Sequence, residues 1–250
     1  MSTRHTVDIV FCLDASSSMQ PCFRAMQQHV GNFIAGIAGN GQSTWDWRID
    51  FVAHSAGNAS VGSVHRMTSL SHNVMELVSN LYRPGQSGRF FTSNLEEFKT
   101  ALGKIEVQGD EAPLLALDTC LDFPWRPAAG CHRVVILMTD EPAETGLDVD
   151  ESRKNLPALI QKVQDLKVLL FIVAPESAIF DQLGQINKSE YEVVDATDDG
   201  MASVDFRQLM EALGKSVSVS TLQSTGEKAV QRGLFGQAKW VHSNEEIRGA

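Results

Sequence analysis

The chain has 250 residues, 43% hydrophobic and 21% charged, which allows one large α/β domain or two small ones with weaker cores. Its 31 acidic residues outnumber 21 Lys and Arg, and the formal charge of −10 argues against a nucleic-acid backbone or an anionic membrane surface as the main partner. A cation or a basic partner fits better. Cys12, Cys22, Cys120 and Cys131 form no CxxC pair, no apolar segment precedes the first strand, and the longest apolar run, "VLLFIVA", is too short to span a bilayer. The expected location is the cytoplasm.

In chain order, "VDIVFCLD" is a buried strand that ends in Asp14 and runs into the serines of "DASSSM". An amphipathic helix follows, with Phe23, Met26, Val30, Phe33, Ile34 and Ile37 at helical spacing and Pro21 near its start. "DWRIDFVAH" alternates Trp47, Ile49 and Phe51 with Asp46, Arg48 and Asp50, which predicts an edge or antiparallel strand with one wet face. Residues 56–92 are polar and rich in Gly and Ser, with one helical pattern in "SHNVMELVSNLY". Two helices come next, one capped by Asn94 and one opening at Pro113, joined by "EVQGDEAP".

The second half alternates buried strands and helices: strand "RVVILM" ending at Thr139-Asp140, a helix over 152–166, strand "KVLLFIVA", a helix over 176–186 and strand "YEVVD". This pattern predicts a doubly wound, mostly parallel α/β sheet with one antiparallel edge strand and helices on both faces. A last helix over 205–215 closes a domain of residues 1–215. Residues 216–250 are polar and Gly-containing and read as a partly flexible or partner-docking tail.

Ligands of doubly wound sheets bind beyond the carboxyl ends of the strands, where the strand order reverses. If "RVVILM" lies beside the first strand, Asp14 and Asp140 meet there. With the alternate hydroxyls Ser16 and Ser18 they form an all-oxygen set, suited to Mg²⁺ or Mn²⁺ and not to a soft metal. The alternative for Asp14, Ser16 and Ser18 is helix capping. Asp110 and Glu111 could add a carboxylate or cap the helix at Pro113, while Thr139 and Glu141 flank Asp140 as structural residues. His54, His65, His72 and His132 are scattered without metal-ligand spacing and read as surface or internally satisfied residues.

"DASSS" resembles the DxSxS pattern of the von Willebrand factor A domain, and "LMTDEP" resembles the later strand-end aspartate of that family's metal ion-dependent adhesion site. The resemblance extends over residues 6–215. It implies a Rossmann-like fold, a Mg²⁺ or Mn²⁺ held by Asp14, Ser16, Ser18 and Asp140, and an open ion position that engages an acidic group of a partner protein. The middle loop departs from the family: "QGDEAP" stands where many members have Gly-x-Thr, so Asp110 or Glu111 takes the threonine's place, as in integrin beta-type and many bacterial intracellular domains. That extra charge would tighten the ion and weaken its pull on an outside carboxylate. Intracellular bacterial relatives imply adaptor roles with AAA+ ATPases, chaperones, or kinase and phosphatase systems.

The expected function is therefore a metal-binding interaction module and not an enzyme. A first alternative keeps the scaffold and binds partners through loops and tail without an ion. A second, a Mg²⁺-dependent phosphatase or phosphotransferase resembling the DxDxT enzymes, meets Ser16 where a second aspartate would act as acid or base. No GxSxG elbow supports a serine hydrolase.

Overall fold

Along β1 (Arg4–Asp14) the side chains of Val7, Ile9, Phe11 and Leu13 enter one core and those of Val10 and Cys12 another. A strand buried on both faces must be covered on both. The computed structural model describes residues 4–38, 44–55, 58–61, 66–69, 90–107, 112–145, 149–187, 189–195, 201, 204–222 and 242–243. Among them β2 (Thr44–Ser55), β3 (Asn58–Val61), β4 (Arg66–Ser69), β5 (His132–Met138), β6 (Val168–Ala174), β7 (Ser189–Val193) and β8 (His242–Ser243) join β1 in one sheet ordered β4-β3-β2-β1-β5-β6-β7-β8.

The five strands from β2 to β7 in that order are parallel. The first core lies under α1 (Gln20–Ala38), α2 (Leu95–Leu102) and α6 (Phe206–Leu222). The second lies under α3 (Pro113–Leu121), α4 (Val149–Leu166) and α5 (Ala178–Gly184). The expected doubly wound α/β fold is thus the one observed. No helix among the described residues is long and apolar enough to cross a membrane.

Three expectations are corrected. The strand read as an edge or antiparallel one, β2, runs parallel to β1 and lies inside the sheet, and antiparallel pairing falls instead on β3, β4 and the two-residue β8. The alternation of β2 has another cause than solvent: Asp50 is buried and accepts hydrogen bonds from the Phe51 and Phe91 amides at 2.9 and 3.0 Å, and Arg48 pairs with Asp8. The last helix does not stop at Lys215 but continues to Leu222, because Val217 extends the buried seam of Leu209, Met210 and Leu213. Part of the expected tail is therefore helix, and His242–Ser243 returns to pair with Glu192 and Val193 of β7. The helical pattern at 71–82 and the "RPGQSGR" stretch lie outside the described residues.

Helices α1 and α6 touch backbone to backbone. A Cβ on Gly214 would run into the Phe33 carbonyl oxygen, so the absence of a side chain there sets the close approach.

On β7, Tyr191 faces the second core beside Phe180, which turns Glu190 and Glu192 toward the first. Both glutamates are buried, and burial, with the charge of Glu190 in addition, pushes the Glu192 carboxyl from 4.5 up to about 9. A group whose pKa is raised on folding gives its full contribution below the unfolded value, and that contribution is lost as pH rises through the folded value. Glu192→Gln should therefore leave stability near pH 4.5 little changed and raise it by about 2 kcal/mol at pH 8, less than the full 1.36 kcal/mol per pKa unit because the buried amide still wants partners. Urea unfolding at the two pH values checks this, and equal gains at both would refute the electrostatic origin.

Candidate functional site

Leu13 of β1 pairs with Met138 of β5, so Asp14 and the Thr139-Asp140 pair leave neighbouring parallel strands side by side. On the other flank of β1, His54 of β2 is the register partner of Asp14. The chain passes from β1 to β2 on one side and later to β5 on the other, which makes the gap between β1 and β5 the switch point of the sheet.

Asp14 is fully buried there. One carboxylate oxygen, Oδ1, accepts the Ser16 amide at 2.7 Å, and Oδ2 accepts the Thr139 hydroxyl at 2.8 Å. The Ser16 and Ser18 hydroxyls lie 2.9 Å apart, two residues from each other on the turn that leads into α1. Ser16 occupies the cap position of a 3-10 turn, Ser17–Met19, yet its side chain makes no capping hydrogen bond. The capping role expected as the alternative for Ser16 is therefore not what occupies its hydroxyl. Asp140 is 7% exposed, and its Oδ1 has no hydrogen-bond partner among the described residues.

Charge in this crevice reaches its neighbours. Burial, with the carboxylates of Asp140 and Asp14 adding to it, pushes the Cys22 thiol up to about 12, so it stays protonated and offers no thiolate. Burial pushes the His54 imidazole down to about 3 and keeps it neutral. The one lone-pair nitrogen of that ring is taken by the Ala112 amide, so the free donors of the crevice are oxygens.

That donor set fits a hard divalent cation. Two carboxylates and two hydroxyls at adjacent strand ends match the preference of Mg²⁺ or Mn²⁺ for oxygen, and a buried carboxylate oxygen without a partner is what such an ion would satisfy. Among the described residues no group of three or more His, Cys, Asp or Glu gathers, so hydroxyls are an essential part of the set. Asp110 and Glu111, the expected contributors from the middle loop, lie outside the described residues.

Thr139, expected as a structural residue, and His54 both support the site. Thr139 is fully buried and holds Asp14 in place, while its hydroxyl also accepts the Glu141 amide at 3.2 Å. His54, read as a surface or satisfied residue, is fully buried with its Nδ1 accepting the Ala112 amide at 3.2 Å and its Nε2 without a partner among the described residues. The usable signal was register: "DFVAH" ends level with "FCLD" when both strands are parallel.

Comparison with known proteins identifies the family of the fold. The model of the von Willebrand factor type A domain matches residues 8–209. Among solved structures, the chain resembles a von Willebrand factor type A protein from Catenulispora acidiphila at 15% identity and a TM-score of 0.49, over 86% of this chain and 43% of that one. It also resembles proximal thread matrix protein 1 of the mussel byssus at 13% identity and a TM-score of 0.50, over 86% of this chain and 49% of that one. The chain spans less than half the length of either structure, and at these identities the likeness is one of fold. No curated protein matches the sequence.

Proposed function

Because the chain belongs to the von Willebrand factor type A domain family, whose members are in general protein-interaction modules, we propose that it is a divalent-cation-dependent interaction module whose site engages an acidic group of a partner protein. The observation that carries this reading is the buried Asp140 Oδ1 without a described partner, set one strand away from Asp14 and the paired hydroxyls of Ser16 and Ser18. Ser16 and Ser18 would ligate the ion, and Asp14 and Asp140 would supply charge and orient its waters. A bound ion contributes Lewis acidity toward an incoming carboxylate. Thr139, through its hydrogen bond, keeps the Asp14 carboxylate turned into the crevice.

The reading includes Asp110 or Glu111 as a further ligand and contains no catalytic step. Its adaptor role, with an AAA+ ATPase, a chaperone, or a kinase or phosphatase system as partner, belongs to the same proposal. So does a cytoplasmic location, with which the four free, buried cysteines are compatible.

The test is a calorimetric titration with Mg²⁺ and Mn²⁺ of the wild type beside a Ser16→Ala, Ser18→Ala double variant, with thermal unfolding of both. Uptake by the wild type alone, with matching melts in chelator, is the expected result. No heat from either protein would turn the cluster into a turn-forming device and favour the second reading, an ion-independent scaffold. That second reading rests on the fact that the Asp14 carboxylate already accepts bonds from Ser16 and Thr139.

A further inference from the structure

The stretch "TDEPAET", residues 139–145, places three acids just after β5, and they are occupied differently. Glu141 Oε2 accepts the Thr145 hydroxyl at 3.0 Å, within the same loop. Glu144 Oε1 reaches outside the loop and accepts the Ile179 amide at 3.0 Å, in the first turn of α5. Asp140 Oδ1 has no partner among the described residues. No described group grips that oxygen, so its place in the crevice follows from the backbone that carries it.

That backbone is strapped to one neighbour at both ends. At the near end the Thr139 amide donates to the Val173 carbonyl of β6 at 3.2 Å, and at the far end Glu144 holds the start of the helix that follows β6. Between the two, Ala143 is buried in the second core, Pro142 has a fixed φ, and the Thr145 amide closes a turn onto the Pro142 carbonyl at 3.1 Å. A carboxylate suits the far tie, because the free N–H groups of a helix start carry partial positive charge and bond an ionised acceptor more strongly than a neutral one. Yet α5 has a cap of its own: Ser177 accepts the Phe180 amide at 3.2 Å. The Glu144 bond is an addition to that cap, and it joins two loops.

We infer that Glu144 is a positioning residue for Asp140, tying the loop to α5 so that the Asp140 carboxylate is presented to the ion in the crevice. This rests on the cation reading above. Glu144 acts through the loop and not on the ion. Its action resembles that of the outer partners that orient metal ligands, whose loss commonly lowers metal affinity about 10- to 100-fold.

The wild type is compared with three variants. Glu144→Ala removes the tie, Glu144→Gln keeps an acceptor for the Ile179 amide without the charge, and Glu144→Asp keeps the charge on a side chain one methylene shorter. A Mg²⁺ titration and amide hydrogen exchange at Ile179 and at Glu141, the amide next to Asp140, are measured on each, with urea unfolding as a control for global stability. The expected result is faster exchange at both amides and Mg²⁺ affinity about tenfold lower in Glu144→Ala and Glu144→Asp, with values near wild type in Glu144→Gln. Should Glu144→Ala not fold, the Gln and Asp variants carry the same contrast. Mg²⁺ affinity equal to wild type in Glu144→Ala and Glu144→Asp overturns the inference. So does a loss in Glu144→Gln with Glu144→Asp intact, which would assign the effect to charge and not to position. A wild type that takes up no Mg²⁺ overturns the cation reading instead, and unchanged Glu141 exchange in Glu144→Asp would then overturn the tie independently.

Discussion

In chelator, Asp140→Ala is expected to be more stable than the wild type, by about 1–2 kcal/mol, and to be indifferent to Mg²⁺. The buried Oδ1 of Asp140 has no partner among the described residues, and a buried polar atom left unsatisfied costs about 1–3 kcal/mol. Removing the carboxylate relieves that cost, against a small loss of packing. Ion binding reverses the order. At a Mg²⁺ concentration 100 times the dissociation constant, the wild type gains about 2.7 kcal/mol by linkage, which the variant does not share. Thermal unfolding of both proteins, in chelator and in Mg²⁺, reads all four states. An Asp140→Ala variant that melts below the wild type in chelator would assign Asp140 a structural role and sink the argument that the site is strained until filled.

The order of the fold could be read from sequence where burial was continuous. "VDIVFCLD", "RVVILM" and "VLLFIVA" are apolar on both faces because both faces are covered, so their parallel, central placement followed from composition alone. The reading failed where polar residues were mistaken for wet ones. Asp50 and Arg48 alternate with apolar residues as a solvent-facing strand would, but they are spent inside the protein, on the Phe91 amide and on Asp8. Periodicity registers polarity and not its destination.

The same limit applies at the site. That Asp14, Ser16 and Ser18 lie beside Asp140 at neighbouring strand ends was legible because a charged or hydroxyl residue at the end of a buried strand is anomalous in itself. Thr139 and His54 were not, since their meaning lies in hydrogen bonds across 125 and 58 residues of chain. The end of α6 was misplaced for a related reason. "SVSVS" has the alternation of a polar tail, yet Ser216 and Val217 are fully buried, and local pattern carries no record of the helix packed alongside.

At the opposite end of β1 from the site, Asp8→Ala should destabilise the protein by about 3 kcal/mol while leaving ion binding untouched. Asp8 is fully buried and takes two hydrogen bonds from Arg48, at 2.7 Å each, one from the Arg126 side chain at 2.6 Å and one from the Arg126 amide at 2.8 Å. Arg126 in turn reaches the carbonyls of Val7 and Asp46, and its own carbonyl receives Arg133. The single carboxylate thus binds β1, β2 and the loop that leads into β5. Breaking a buried pair by removing one partner costs about 3–5 kcal/mol, and the lower figure applies because both guanidinium groups remain about a quarter exposed and recover some hydration.

The pH dependence separates this charge effect from lost packing. Burial alone would raise the Asp8 pKa, but the bonds from Arg48 and Arg126 outweigh it and hold the carboxyl below its ordinary range. A pKa lowered on folding contributes stability that is present above the unfolded value, about 3.9, and is lost as pH falls through the folded one. The gap between wild type and Asp8→Ala should be fully open at pH 7 and narrow toward pH 2, and urea unfolding at several pH values measures it. Asp14 lies six residues further along the strand, about 20 Å at 3.3 Å per residue, so Mg²⁺ affinity per folded molecule should not change. A gap that stays constant down to pH 2 would mean that the network stabilises through shape and not through charge.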